Sequence, residues 1–236
     1  MSSQKLTAIV FGAGARTGRG IADGLLAAGY NVTAVSRSIT ESEDLAKGAL
    51  NIKADLSDLA SIKGVFEKTK KLLGTPNIVI HNAWASVTPK ADDWFSQDLT
   101  EMQKAYNTNS LSVLVAAQEA VAGFETLPAS APQLFIYVGN MQNVSAFPSP
   151  GFVALGMGKS ATSYLIWAAS QNFESKGYKF YFVDERTPDG GAVYGDIDAK
   201  AHTELFLSLA KGDNTVPWHA TFVKGKGYVK FPNSIV

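Results

Sequence analysis

The chain contains no cysteine among its 236 residues. That excludes disulfide frameworks, thiolate nucleophiles and cysteine-bound metal together. Neither sign of charge is in excess, since 21 Lys and Arg stand against 21 Asp and Glu. Without a net field or a single-sign run, neither nucleic acid nor an anionic membrane is expected as a partner. The three histidines, His81, His202 and His219, lie too far apart to form a metal-binding motif, so no metal is expected. Long apolar runs are missing as well. The opening "MSSQKLTAIVFGAG" carries an apolar run of roughly seven residues that breaks at glycines, unlike a signal peptide or spanning helix. A soluble, cytoplasmic protein is the expectation.

What the chain has is apolar content, 46% of its residues, enough for one sizeable core and a single domain over 1–236. Short β-type runs at 6–12, 30–36, 49–54, 76–82, 133–139, 178–184 and 219–225 alternate with helical stretches at about 17–28, 57–73, 100–123, 152–175 and 197–211. Several of the short runs are nearly all apolar, as strands are when helices cover both faces. The spacing predicts an α/β fold, a doubly wound, Rossmann-like parallel sheet of about seven strands. Its ligand crevice belongs at the strand ends, where Pro-, Ser- and Gly-rich loops fall at 127–132, 145–151 and 187–196.

The first strand runs into "FGAGARTGRGIADGLLAAG", a glycine-rich turn that opens a helix. Gly12, Gly14, Gly18 and Gly20 allow a tight turn and close approach of backbone to a pyrophosphate, and the helix start at Thr17 offers amide donors and a positive dipole end. The second strand ends in Ser36 and Arg37, where an NAD-binding fold would carry an acid for the ribose 2′-hydroxyl. A carboxylate there would repel a 2′-phosphate. Ser36, Arg37 and Arg16 can instead donate to one, so NADP is the expected cofactor.

With these features the chain resembles a divergent short-chain dehydrogenase/reductase over about residues 6–185. "ADLSD" resembles the family's adenine-binding turn, which implies Asp55 toward the adenine amino group and Leu56 against the ring. "HNAWAS" resembles its Asn-Asn-Ala-Gly motif, keeping Asn82 and Ala83 but with His81 first and Trp84 last. "YNTNSLSVL" resembles the helix carrying the family's structural asparagine, here Asn109. The glycine turn departs from the common form, with five residues rather than three between Gly12 and Gly18.

In family members that reduce carbonyls, a tyrosine protonates the substrate oxygen, a lysine four residues later depresses its pKa and binds ribose, and a serine polarises the carbonyl. Residues four apart share a helix face, which explains the spacing. Here the lysine is Lys159, but the tyrosine position holds Leu155, and Gly139 and Asn140 stand where the serines would. Asn140 reads either as the polarising donor, with Asn143, or as a turn residue satisfying its own backbone. The family's Pro-Gly after the sixth strand aligns with Glu185 and Arg186. Together with Asp184 these read as a solvated ion-pair cluster, or as the source of an acid whose pKa an apolar wall raises. No helical lid is evident, only the short polar loop "GAVYGDIDAK".

The leading expectation is an NADPH-dependent oxidoreductase with a displaced proton donor, catalytic residues Lys159, Asn140 and Asn109, and a small-molecule substrate. Two alternatives stay open, a non-catalytic NADPH-binding sensor or interaction protein and a non-redox cyclase or isomerase, which the apolar loop "MQNVSAFPSPGF" favours as the wall of a hydrophobic pocket. By resemblance, the helices near 100–123 and 152–175 pair in a homo-oligomer.

Overall fold

The structure is a computed structural model that describes residues 5–89, 93, 95–147 and 149–234; Pro148, in the apolar loop named above, lies outside them. Seven parallel strands form the body of one sheet: β1 (Thr7–Phe11), β2 (Asn31–Ser36), β4 (Ala49–Lys53), β5 (Ile78–His81), β6 (Leu134–Val138), β7 (Lys179–Arg186) and β8 (His219–Val223). Their apolar runs are buried on both faces, as the sequence pattern requires. Two short antiparallel strands, β3 (Ser42–Asp44) and β9 (Gly227–Tyr228), add an edge on each side and bring the sheet to nine, in the order β3-β4-β2-β1-β5-β6-β7-β8-β9.

Helices α1 (Thr17–Ala27) and α6 (Ala199–Ala210) cover one face, over a core that includes Val10, Ile21, Leu25, Ile80 and Phe206. On the other face lie α2 (Ala60–Leu73), α3 (Leu99–Tyr106), α4 (Ser112–Phe124) and α5 (Val153–Asn172), with Phe11, Ile62, Val113, Phe135 and Phe182 in the core beneath. Two glycines set how closely the helices of the first face meet. A Cβ on Gly20 would lie 2.5 Å from Ala199 Cβ, and one on Gly24 2.8 Å from Thr203.

The stretch expected as one helix over 100–123 is α3 and α4 joined by a wide π turn, Asn107–Leu111. The turn carries Asn109, whose carboxamide is completely buried. Asn109 Oδ1 accepts from Ala85 N at 2.8 Å, while Nδ2 donates to Ala85 O at 2.8 Å and Ala154 O at 3.4 Å. π turns of this kind gather at functional sites, and this one ties the strand end after β5 to α5.

The order in which strands are added reverses between β1 and β5: from β1 it runs one way through β2 and β4, and the other way through β5, β6 and β7. A crevice opens above the carboxyl ends of the strands at such a switch point.

Candidate functional site

A single cavity of about 580 Å³ occupies that crevice, running from the turn after β1 to the end of β7. At one end its wall is made by Gly12, Gly14, Arg16, Thr17 and Gly18, with Ser36 and Arg37 from the end of β2 and Asp55 and Leu56 beyond β4. Asn82 and Ala83 lie at its middle. The other end is formed by Asn140, Leu155, Lys159 and Asp184. Of the residues expected to hold a cofactor, only Gly20 is outside this wall, since it faces α6. Asn109 also stands behind the cavity and braces the backbone that lines it.

Close packing shapes the glycine turn. Gly12 has φ +81°, the left-handed region that favours glycine, and a Cβ there would sit 2.4 Å from Ala83 N. Asn82 Nδ2 donates to Gly12 O at 3.0 Å, which fastens the turn to the end of β5. Gly18 is equally confined, 2.0 Å from Gly12 O by the same measure. Gly14 differs, for its Cβ would meet nothing within 4 Å. No side chain caps the start of α1 at Arg16, so its first amides and its positive dipole end are directed at the cavity region without a protein anion over them.

Further along, Ser36 Oγ is screened from solvent and has no hydrogen-bond partner in the protein. Buried hydroxyls seldom remain unpaired without a ligand or water to satisfy them. Asp55 Oδ1 accepts from Ser57 N at 3.0 Å and Ser57 Oγ at 2.9 Å, and these bonds hold its carboxyl below the usual range. The open space at Gly14, the uncapped helix start, the unpaired Ser36 hydroxyl and the nearby Arg16 and Arg37 together leave room and donors for a nicotinamide dinucleotide.

At the far end, Lys159 is buried and its Nζ donates to Val138 O at 2.7 Å, 4.4 Å from the centre of the Tyr137 ring. Burial pulls its pKa down to about 7, against the opposing pull of Asp184. Leu155 is one helical turn before it, buried and without a titratable atom. Asn140 caps a short helical turn, Met141–Asn143: its Oδ1 accepts from Gln142 N at 3.0 Å and its Nδ2 donates to Gln142 Oε1 at 3.2 Å. Of the two readings of Asn140, the turn role is realised, on a side chain that also lines the cavity. Asn143 Nδ2 reaches Ser163 Oγ at 3.2 Å.

The cluster after the sixth parallel strand is not a solvated loop. β7 continues through it to Arg186, and Asp184, Glu185 and Arg186 are all buried. Arg186 Nε donates to Asp184 Oδ2 at 2.6 Å, Asp184 Oδ1 has no partner in the protein, and burial raises this carboxyl to about 6. Glu185, on the opposite face, accepts from Asp198 N at 2.8 Å. His202 donates Nδ1–H to Asp198 O at 2.9 Å, and burial lowers its pKa to about 4, so at neutral pH it is an uncharged part of the wall. The chain turns only at Thr187–Gly190, two residues later than the sequence pattern suggests.

The loop that follows also lines the cavity. Tyr194, Val193 and Ile197 come from it, and Phe147 and Phe152 come from the loop between β6 and α5. Sequence reading placed both loops at the crevice, though it read the first as polar; the 127–132 loop placed there with them instead leads from α4 into the amino end of β6. The first loop's available signal was the pair of apolar residues, Tyr194 and Ile197, in a segment with nothing of its own to bury.

A family model described as short chain dehydrogenase matches residues 6–132. The chain is 38% identical over 236 residues to a short chain dehydrogenase/reductase, dmxR12, of Cryptosporiopsis sp. (strain 8999), an alignment covering 95% of this chain and 94% of that protein. Among solved structures, a metagenomic short-chain oxidoreductase in complex with NADP superposes with a TM-score of 0.75 at 16% identity, covering 94% of this chain and 99% of the other. NADH-dependent reductase A1-R′ complexed with NAD gives 0.74 at 13% identity, covering 93% and 95%. At these identities the two structures speak for the fold.

Proposed function

The chain belongs to the short-chain dehydrogenase/reductase family, and from that premise we propose that it binds NADPH in the cavity described above and works as an oxidoreductase whose proton donor has moved from position 155. The observation that carries this reading is the continuity of the cavity, which joins the glycine turn to Lys159 without interruption. Gly12, Gly14, Thr17 and Gly18 hold the pyrophosphate at the start of α1. Ser36, Arg37 and Arg16 take the 2′-phosphate, and so favour NADPH over NADH. Asp55 and Leu56 receive the adenine, while Asn82, Ala83 and Lys159 line the path to the nicotinamide ribose.

Nicotinamide bound at the Lys159 end supplies hydride chemistry. There the protein orients the reacting groups; a leucine at 155 adds an apolar wall and no proton. The bond to Val138 O fixes Lys159 Nζ at the wall, and Asn140 and Asn109 keep the surrounding backbone in place. General acid catalysis typically contributes about 10²–10⁴-fold, so a site without the tyrosine turns over slowly on simple carbonyls unless substrate or water delivers the proton.

Two measurements test the reading. NADPH is titrated against NADH by protein fluorescence, and NADPH oxidation is followed with a panel of carbonyls, imines and quinones. Preferential NADPH binding with turnover supports it, and absence of NADPH binding overturns it. Tight binding without turnover on any of the panel favours the sensor reading, and a product of unchanged oxidation state favours the cyclase or isomerase. Exposed Leu114 on α4 and Met157, Tyr164 and Trp167 on α5 support a homo-oligomer packed through those helices, which light scattering measures.

A further inference from the structure

Three aromatic side chains from two separate loops meet at the Lys159 end of the cavity. Phe147 stands edge-to-face with Phe152, ring centroids 5.9 Å apart, and its ring centre is 5.7 Å from that of Tyr194. All three line the cavity, as do Trp84 and Leu155. These rings are not closed against the core: Phe152 is 36%, Trp84 54% and Tyr194 68% exposed. Large apolar side chains gathered around one concavity and left in water mark a surface that a ligand covers.

Backbone geometry adds an independent observation. Tyr194 has φ +48°, and among the described residues it is the only non-glycine with a positive φ. A bulky residue in the left-handed region is strained, and such strain persists where the surroundings hold it in place. Here its result is to bring the Tyr194 ring onto Phe147 at the cavity wall.

The polar groups at this end select against charge. An anion would meet Asp184 and Glu185, and a cation would meet Lys159. Each is already engaged in the protein, Asp184 through Oδ2 with Arg186 while its open Oδ1 repels an anion, Glu185 with the amide of Asp198, and Lys159 with the carbonyl of Val138. Asn140 Nδ2 gives one of its two N–H groups to Gln142 Oε1, and a carboxamide nitrogen has a second to offer an acceptor oxygen.

We propose that the second ligand of this site is a flat, uncharged, fused-ring aromatic ketone, its rings packed among Phe147, Phe152, Tyr194 and Trp84 and its oxygen toward Asn140. Offset and edge-to-face contacts with three rings favour a planar aromatic over a flexible chain of equal size, which also loses more conformational freedom on binding. The inference rests on the NADPH-linked reading of the same cavity.

The test uses 1-tetralone and, as an open-chain ketone with as many carbons, 2-decanone. Each is titrated by saturation-transfer NMR into the full chain, first alone and then saturated with NADPH. The expected result is at least tenfold tighter binding of 1-tetralone. F147A and Y194A weaken that binding on the order of tenfold and change NADPH affinity far less, and F147Y restores the ring and the affinity. Because Tyr194 is largely exposed, Y194A keeps the fold even if F147A does not. Equal binding of the two ketones, no binding of either, or wild-type affinity for 1-tetralone in Y194A overturns the inference. Failure of NADPH to bind overturns the function proposed above instead, and the titrations without NADPH still decide the question of the ring.

Discussion

Alanine at Gly14 and alanine at Gly18 separate the ligand space of the glycine turn from its packing. A methyl group on Gly14 meets nothing within 4 Å, and the backbone there is outside the left-handed region. Gly14→Ala therefore leaves the folded state unstrained, and restricting the unfolded chain stabilises it by roughly 0.4–1 kcal/mol. The same methyl stands at the wall where phosphate is proposed to lie, and NADPH binding weakens at least about tenfold, the equivalent of 1.4 kcal/mol. Gly18→Ala does the reverse. Its methyl falls 2.0 Å from Gly12 O and 2.8 Å from Asn82 Nδ2, and backbone fixed by the Asn82 bond yields little. Overpacking of this kind costs about 1–3 kcal/mol, which for a chain of this size lowers Tm by roughly 2–12 °C. Calorimetry and an NADPH fluorescence titration on both variants provide the readings. If Gly14→Ala binds NADPH as tightly as the wild type, the phosphate site is not where we place it; if Gly18→Ala melts at the wild-type temperature, the packing argument is wrong.

Arg37→Ala weakens NADPH about tenfold or more and leaves NADH unchanged, since a charge-assisted bond to the 2′-phosphate is lost; Ser36→Asp reverses the preference, and equal losses for both nucleotides refute the assignment. Asn109→Ala strands the amide and carbonyl of Ala85 and lowers stability by about 2–4 kcal/mol in denaturant titration, whereas a loss below 1 kcal/mol would show that Asn109 is not a brace. Leu155→Tyr does not restore ordinary carbonyl reduction, because Asn140, Glu185 and Arg186 also depart from the family's pattern; a large rise in NADPH oxidation with simple ketones would limit the departure to one residue. Lys159, lowered by burial from 10.5 to about 7, binds its proton in the unfolded chain but not in the folded one between those values. The unfolded state then holds more protons, stability from this group rises with pH across the window, and Lys159→Met flattens the rise in denaturant titrations at pH 7 to 10.

The central strands were legible because burial on both faces leaves little room for polar residues. "TAIVF", "LFIYV" and "HATFV" announce themselves, and each is found within about two residues of its expected limits. β3 and β9 left no such mark. "SED" and "GY" are short edge strands, and their pairing follows from the neighbouring strand, not from their own side chains. β7 was cut short for a related reason, because Glu185 and Arg186 look like loop residues until Arg186 is seen to pair with Asp184 within the strand. In the site, the glycine turn was readable since its geometry depends on residues close together in sequence. The contact of Gly20 with Ala199 and the meeting of Phe147 with Tyr194 join distant segments, and no local pattern encodes them.

The walls of the cavity come from opposite ends of the chain, and this affects when it can first be filled. When synthesis has passed β2 and β4, the glycine turn exists as sequence, but β5 has not yet entered beside β1, and Asn82 has not fastened Gly12. The segment from Val138 to His202 closes the site last. A ligand spanning the cavity therefore recognises only the finished fold and cannot guide early folding steps. Its concentration acts on the lifetime of completed molecules, by mass action on the native state, so a cell poor in that ligand would make the protein at the same rate and keep less of it.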